Sequence, residues 1–135
     1  METEKNNIYQ EFAAEASALQ ARSVALRRDL HKHPETGWLE MRTTAIIVRR
    51  LRALGYQVLT GREVCLESAR LGLPDADIMA AHAEAVLQQG VTEEELTPDL
   101  REGFTGAIGI LDCGPGPVVA LRFDIDALGM VECPE

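Results

Sequence analysis

Only three short runs of this chain carry strand character: residues 56–59 (YQVL), 104–111 (FTGAIGIL) and 118–124 (VVALRFD). Three short strands beside two long helical stretches form an incomplete α/β layer, with at least one sheet edge lacking its neighbour. The expected fold class is α/β, in the order helix, helix, strand, helical insertion, antiparallel hairpin. At 135 residues the chain has the size of one domain, and at 46% hydrophobic content it can bury a core. Aromatic residues make up 4%, so that core must be mostly aliphatic and rich in alanine. After residue 126 the chain runs out at Glu135, and the sequence reads as the front portion of something longer.

Residues 7–31 place Ile8, Phe12, Ala16, Leu19, Leu26 and Leu30 on one apolar stripe at helical period. Pro34 bounds that helix, because the residue before a proline is driven out of the helical region. Residues 31–37 (HKHPETG) are then a turn. A second helix is expected over 38–54, with Trp38 packing at its start, Ile47, Leu51 and Leu54 inward, and Gly55 as a left-handed C-cap. Residues 61–103 are acidic and rich in Ala, Gln and Glu, broken by Pro74, Gly90 and Pro98. Asp75 can cap a helix ending near Gly90, and Thr92 with Glu95 fits the capping box of a further short helix. This stretch reads as a helical insertion at about 61–103, too short to bury a core of its own. The turn residues of 112–117 (DCGPGP) would join the last two strand runs into a hairpin.

The net charge of −9 is unevenly spread. Residues 22–52 hold eight Lys/Arg against three Asp/Glu, and residues 62–103 hold three Arg against ten acids. The basic residues of the first stretch are dispersed among apolar ones without interleaved aromatics, which describes a solvated helix surface rather than a nucleic-acid patch. No apolar run approaches a membrane span, and the opening METEKNNIYQ lacks the features of a secretory signal. The expectation is a cytoplasmic protein with neither nucleic acid nor membrane as partner.

Cys65, Cys113 and Cys133 are odd in number and widely spaced, so they indicate no disulfide framework and no Cys-based metal site. On a continuing helix His31 and His33 would point about 200° apart, which defeats shared ligation. They read as locally hydrogen-bonded histidines, as does His82, which has no obvious partner in the sequence. Asp124 and Asp126 are different. Two apart at the end of an apolar strand, they can present both carboxylates on one face, where α/β sheets commonly hold ligands. Spacing alone leaves open whether they serve a metal site or cap the segment after the strand.

RRDLH at 27–31, PETG at 34–37 and Glu40 together resemble the opening motif of the aminoacylase-type metallopeptidases, the family of N-acyl amino acid amidohydrolases and hippurate hydrolases. T-G-x-x-G-x-L at 105–111, P-G-P at 115–117 and A-L-R-x-D-x-D-A-L at 120–128 are similar to its next landmarks. Gly129 departs from it, where many relatives carry proline. LGY at 54–56, GREV at 61–64, Glu67 with Ser68, and GLP at 72–74 are similar to one branch, which cleaves p-aminobenzoyl-glutamate to p-aminobenzoate and glutamate.

The resemblance implies the N-terminal part of a metallopeptidase catalytic domain, incomplete and inactive alone. A small N-acyl amino acid is its substrate, and a second hydrolase subunit its possible partner. A divalent metal, zinc or manganese, would be held by residues of the longer parent, with none of the metal ligands in this chain. It also implies that Asp126 supports the site without ligating the metal, with Asp124 the weaker candidate. The alternative is a small stand-alone partner-binding module derived from the same fold.

Overall fold

The computed structural model describes residues 2–130 and 133. The chain divides into two compact units, one built on the first helix and the other spanning Pro34–Met130. In the first, α1 runs over Glu2–Lys32, five residues ahead of the expected start, and stops before Pro34 as that residue requires. His31 and Lys32 put basic groups on its last turn, where the helix dipole favours them. The apolar stripe is there, but Ile8, Phe12, Leu19 and Leu26 are all exposed rather than buried.

The second unit holds α2 (Met41–Ala53), β1 (Gln57–Thr60), α3 (Ala76–Leu87), α4 (Pro98–Arg101) and β2 (Ala107–Ile110), with two 3-10 turns at 61–63 and 67–69. Helix α2 starts three residues later than expected and buries Met41 to Ala45 rather than Leu54, which is exposed. Its end matches the sequence closely. Gly55, at φ +85°, donates to Arg52, and Tyr56 donates to Leu51, the paired bonds of a Schellman motif that places a left-handed residue after the C-cap. That turn sends the chain straight into β1.

Strand β2 pairs antiparallel with β1, Leu59 opposite Ile108 and Thr60 opposite Ala107. The expected hairpin does not form: among the described residues the sheet has two strands, and residues 118–124 belong to neither. The 112–117 turn itself exists, with Gly114 N–H donating to the Asp112 carboxylate at 2.8 Å. A turn closes a hairpin only if β2 has an edge to offer and the next run is held by packing. Val118, Leu121 and Phe123 lie 96, 78 and 76% exposed, so nothing holds that run against β2.

The core joins α2 to the segment between the strands: Met41 and Ala45 pack with Ala83, Val86, Val91, Leu96 and Leu100. Asp75 stands at the N-cap of α3 with extended backbone but without a side-chain cap bond. The Thr92–Glu95 box closes both ways, Thr92 N–H to the Glu95 carboxylate at 3.0 Å and Glu95 N–H to Thr92 Oγ1 at 3.3 Å. It closes a turn rather than a helix. Helix α4 begins at Pro98 and is capped by Thr97, whose Oγ1 accepts from Leu100 N–H.

Arg62 fastens the 61–74 stretch to α4. Its guanidinium bonds Asp99, Glu67 and Glu102, its backbone N–H donates to Asp99, and it lies 4.0 Å over the Phe104 ring. Arg70 stacks on the same ring at 3.5 Å. The preceding residue has to be glycine, because Gly61 sits at φ +63° and a Cβ there would overlap the Asp99 carboxylate.

Across the core, Arg49 binds Glu95 through two bonds of 2.7 Å. The Arg49 side chain, then the Thr92 N–H, hold the Glu95 carboxyl at about 2, against partial burial that raises it. A carboxyl lowered on folding stabilises the fold above its unfolded range, and that contribution is lost as pH falls toward the folded value. Glu95→Gln is therefore expected to lower the urea midpoint at pH 7 by an amount that shrinks between about pH 4.5 and 2. A deficit that stayed constant down to pH 2 would show that the pair contributes nothing through charge.

Candidate functional site

A buried carboxylate organises the second unit. Glu35, 3% exposed, comes from the turn after α1. Its Oε1 accepts from Arg42 N–H at 2.8 Å and its Oε2 from Thr43 N–H at 2.7 Å. These are two of the N-terminal amides that a helix leaves without internal partners. The N-cap residue of α2, Glu40, makes no side-chain cap bond, so the helix is capped from five residues upstream, by a group of the sign the helix dipole favours there. Oε1 also takes His82 Nε2 at 2.8 Å, across 47 residues of sequence. Since a carboxylate oxygen accepts, Nε2 carries the hydrogen. His82, on α3, thereby has a partner that the sequence did not disclose.

Glu40 is committed elsewhere. Its carboxylate accepts from Thr105 Oγ1 at 2.6 Å, and the next residue, Gly106, donates its N–H to Thr44 Oγ1 at 2.9 Å. The T-G that opens the 105–111 motif is thus bonded to the first turn of α2 just before β2 begins. The Trp38 indole donates to the Leu71 carbonyl at 2.8 Å, with Trp38 itself in the left-handed region at φ +68°. It packs ahead of α2 rather than on it.

Asp124 and Asp126 lie on a segment that belongs to no helix or strand. Ile125 and Ala127 are half-buried while Asp124, Asp126 and Leu128 are exposed, so both carboxylates belong to exposed residues. Asp124 pairs with Arg122 at 2.6 Å. The backbone beside Asp126 is held: Ala127 N–H donates to the Glu35 carbonyl at 2.7 Å. The structure therefore brings the PETG part of the opening motif and the D-x-D-A-L motif together, and Glu35 is the residue at the junction.

The other candidates have local roles. His33 Nδ1 lies 2.8 Å from the Asp29 carbonyl, a helix-end bond, and His31 is exposed on the last turn of α1. Cys65 is half-buried, and Cys113 and Cys133 are exposed; none of the three is in a disulfide. Among the described residues no three His, Cys, Asp or Glu side chains converge in a way that could hold a metal ion. The described residues thus do not fit a metal of their own. No described helix is long and apolar enough to cross a membrane.

No protein-family model matches the chain. Among curated proteins, the A subunit of p-aminobenzoyl-glutamate hydrolase from Escherichia coli is 44% identical over 107 residues, covering 78% of this chain and 24% of that protein. The structure superposes with a TM-score of 0.81, at 41% identity, on the crystal structure of the aminobenzoyl-glutamate utilization protein from Klebsiella pneumoniae, covering 86% of this chain and 30% of that one. The chain resembles the A subunit of p-aminobenzoyl-glutamate hydrolase. Indole-3-acetyl-aspartic acid hydrolase of Enterobacter agglomerans is 41% identical over 107 residues, again 78% of this chain and 24% of that protein. The Haemophilus influenzae homolog of the A subunit is 30% identical over 117 residues, 81% of this chain and 26% of that protein. The chain thus spans about a quarter of the length of the A-subunit relatives it matches. All three curated relatives are named as hydrolases, and two as subunits of one.

Proposed function

We propose that this chain is a portion of a metal-dependent amidohydrolase that cleaves p-aminobenzoyl-glutamate to p-aminobenzoate and glutamate, working with a second subunit. The observation that carries the reading is the 44% identity to the Escherichia coli protein over 78% of the chain. The fold likeness to the Klebsiella protein, at a TM-score of 0.81, supports it. On this reading a divalent metal, zinc or manganese, supplies the chemistry that activates water, and its ligands come from the remainder of the longer protein. The chain contributes the front of the catalytic domain, including the segment that carries Asp126 and Asp124. Those carboxylates support the reacting centre from that segment, Asp126 foremost.

The names of two relatives favour a second substrate reading. Both describe an aromatic acyl group joined to an acidic amino acid, glutamate in one and aspartate in the other. A chimera separates them: the matched stretch of the Escherichia coli relative is replaced by the corresponding residues of this chain. The expected result is a kcat/KM for p-aminobenzoyl-glutamate above that for indole-3-acetyl-aspartate, while the 135-residue chain alone releases no p-aminobenzoate. The reverse ranking would move the substrate to the indole conjugate, and turnover by the chain alone would overturn the reading of it as a portion.

A further inference from the structure

We propose that Glu35 is a positioning residue for the carboxylates of residues 124–128, an inference that deepens the hydrolase reading and rests on it for its catalytic consequence. The two halves of this residue do different work. The carboxylate is locked from three sides, by Arg42 N–H, Thr43 N–H and His82 Nε2, and is 3% exposed. A group so bonded and buried has one arrangement, because moving it leaves two helix amides and an imidazole N–H without acceptors. The carbonyl of the same residue accepts Ala127 N–H at 2.7 Å. The side chain therefore fixes the turn, and the turn fixes the backbone next to Asp126.

That tether stands alone in its stretch of chain. Among the described residues of 111–130, it is the one backbone hydrogen bond that reaches another part of the chain; the other, Met130 to Leu128, is local. Ile125 and Ala127 are half-buried where the segment touches down, and Gly129 lies beside Thr36 of the same turn. Val118 to Asp124 has no such hold and is exposed throughout. The place where this segment is pinned is thus the place where Asp126 stands, and the pin is Glu35. His82 acts through it, as the group from α3 that braces the carboxylate.

The test uses the chimera with Glu35→Gln and Glu35→Ala, each shown folded by circular dichroism at the assay temperature. A displaced carboxylate costs turnover rather than binding. The kcat for p-aminobenzoyl-glutamate is expected to fall about 10-fold in the Gln variant and about 100-fold in the Ala variant, with KM within about twofold. Gln keeps one acceptor oxygen in place, so it restores part of what Ala loses. Hydrogen exchange of the peptide covering 125–130 is expected to quicken by about 10-fold or more, while the β1 and β2 amides stay protected. If Glu35→Ala fails to fold, Glu35→Gln and His82→Phe carry the same comparison. Folded variants with unchanged kcat and unchanged exchange at 125–130 would overturn the inference. A folded parent chimera without turnover would instead sink the hydrolase reading. The exchange comparison then decides: faster exchange keeps Glu35 as the pin, and unchanged exchange removes it.

Discussion

Lysine at positions 118 and 121 is expected to turn a self-associating chain into a monomer. In the isolated chain, Val118, Val119, Leu121, Phe123, Leu128 and Met130 are all exposed, Val118 almost completely at 96%. They lie on a run of strand-forming sequence that belongs to no strand among the described residues and is tied to another part of the chain by the one backbone bond of Ala127. Unpaired backbone donors and acceptors beside contiguous apolar side chains are a template for edge-to-edge association. Light scattering on the 135-residue chain at micromolar concentration should therefore give a mass of at least a dimer. Val118→Lys with Leu121→Lys should return it to the monomer mass, since pairing of copies along this run would bring like charges together. A monodisperse monomer of the unsubstituted chain would show that this segment does not need covering.

The second large effect concerns the buried carboxylate. Glu35→Ala, measured by urea denaturation in the double-lysine background, is expected to cost about 3 kcal/mol, because it strips an acceptor from two helix amides and from His82 at once. Glu35→Gln should recover a good part of that, since it keeps the volume and one acceptor oxygen. A loss below about 0.5 kcal/mol for Glu35→Ala would mean that water replaces all three bonds and that Glu35 organises nothing.

What could be read from the sequence was whatever is settled within a few residues. The Gly55 cap, the stop of α1 before Pro34, the closing of Thr92 onto Glu95 and the helix-end bond of His33 are all local, and each depends on residue chemistry at short spacing. The failures came from long range. The partner of His82 is 47 residues away, and no periodicity announces it. Thr105 meets Glu40 across 65 residues by the same kind of contact. The hairpin expectation failed because turn residues at 112–117 say where a chain reverses, not which strand its neighbour will take. Strand β1, already seated on α2, took β2 instead. The apolar stripe of α1 shows the same limit, since a period specifies a face and not what covers it.

The motifs that carried the family resemblance have mostly architectural work in the structure. GREV at 61–64 supplies the glycine that lets Asp99 approach and the arginine that binds it. PETG supplies the carboxylate that caps α2, and the T-G of 105–111 ties β2 to that same helix end. Such residues tie α2, α4 and the two strands together in the second unit, and the chain that carries them superposes on 30% of the Klebsiella protein at a TM-score of 0.81.

Whether this chain is an interchangeable portion of a p-aminobenzoyl-glutamate hydrolase is tested most directly by the initial rate of p-aminobenzoate release by the chimera, with divalent metal and the second subunit supplied. Release within about 10-fold of the unmodified Escherichia coli protein is expected, the span that a disturbed supporting carboxylate would cost. A chimera that folds, melts cooperatively and releases no p-aminobenzoate above background would contradict it.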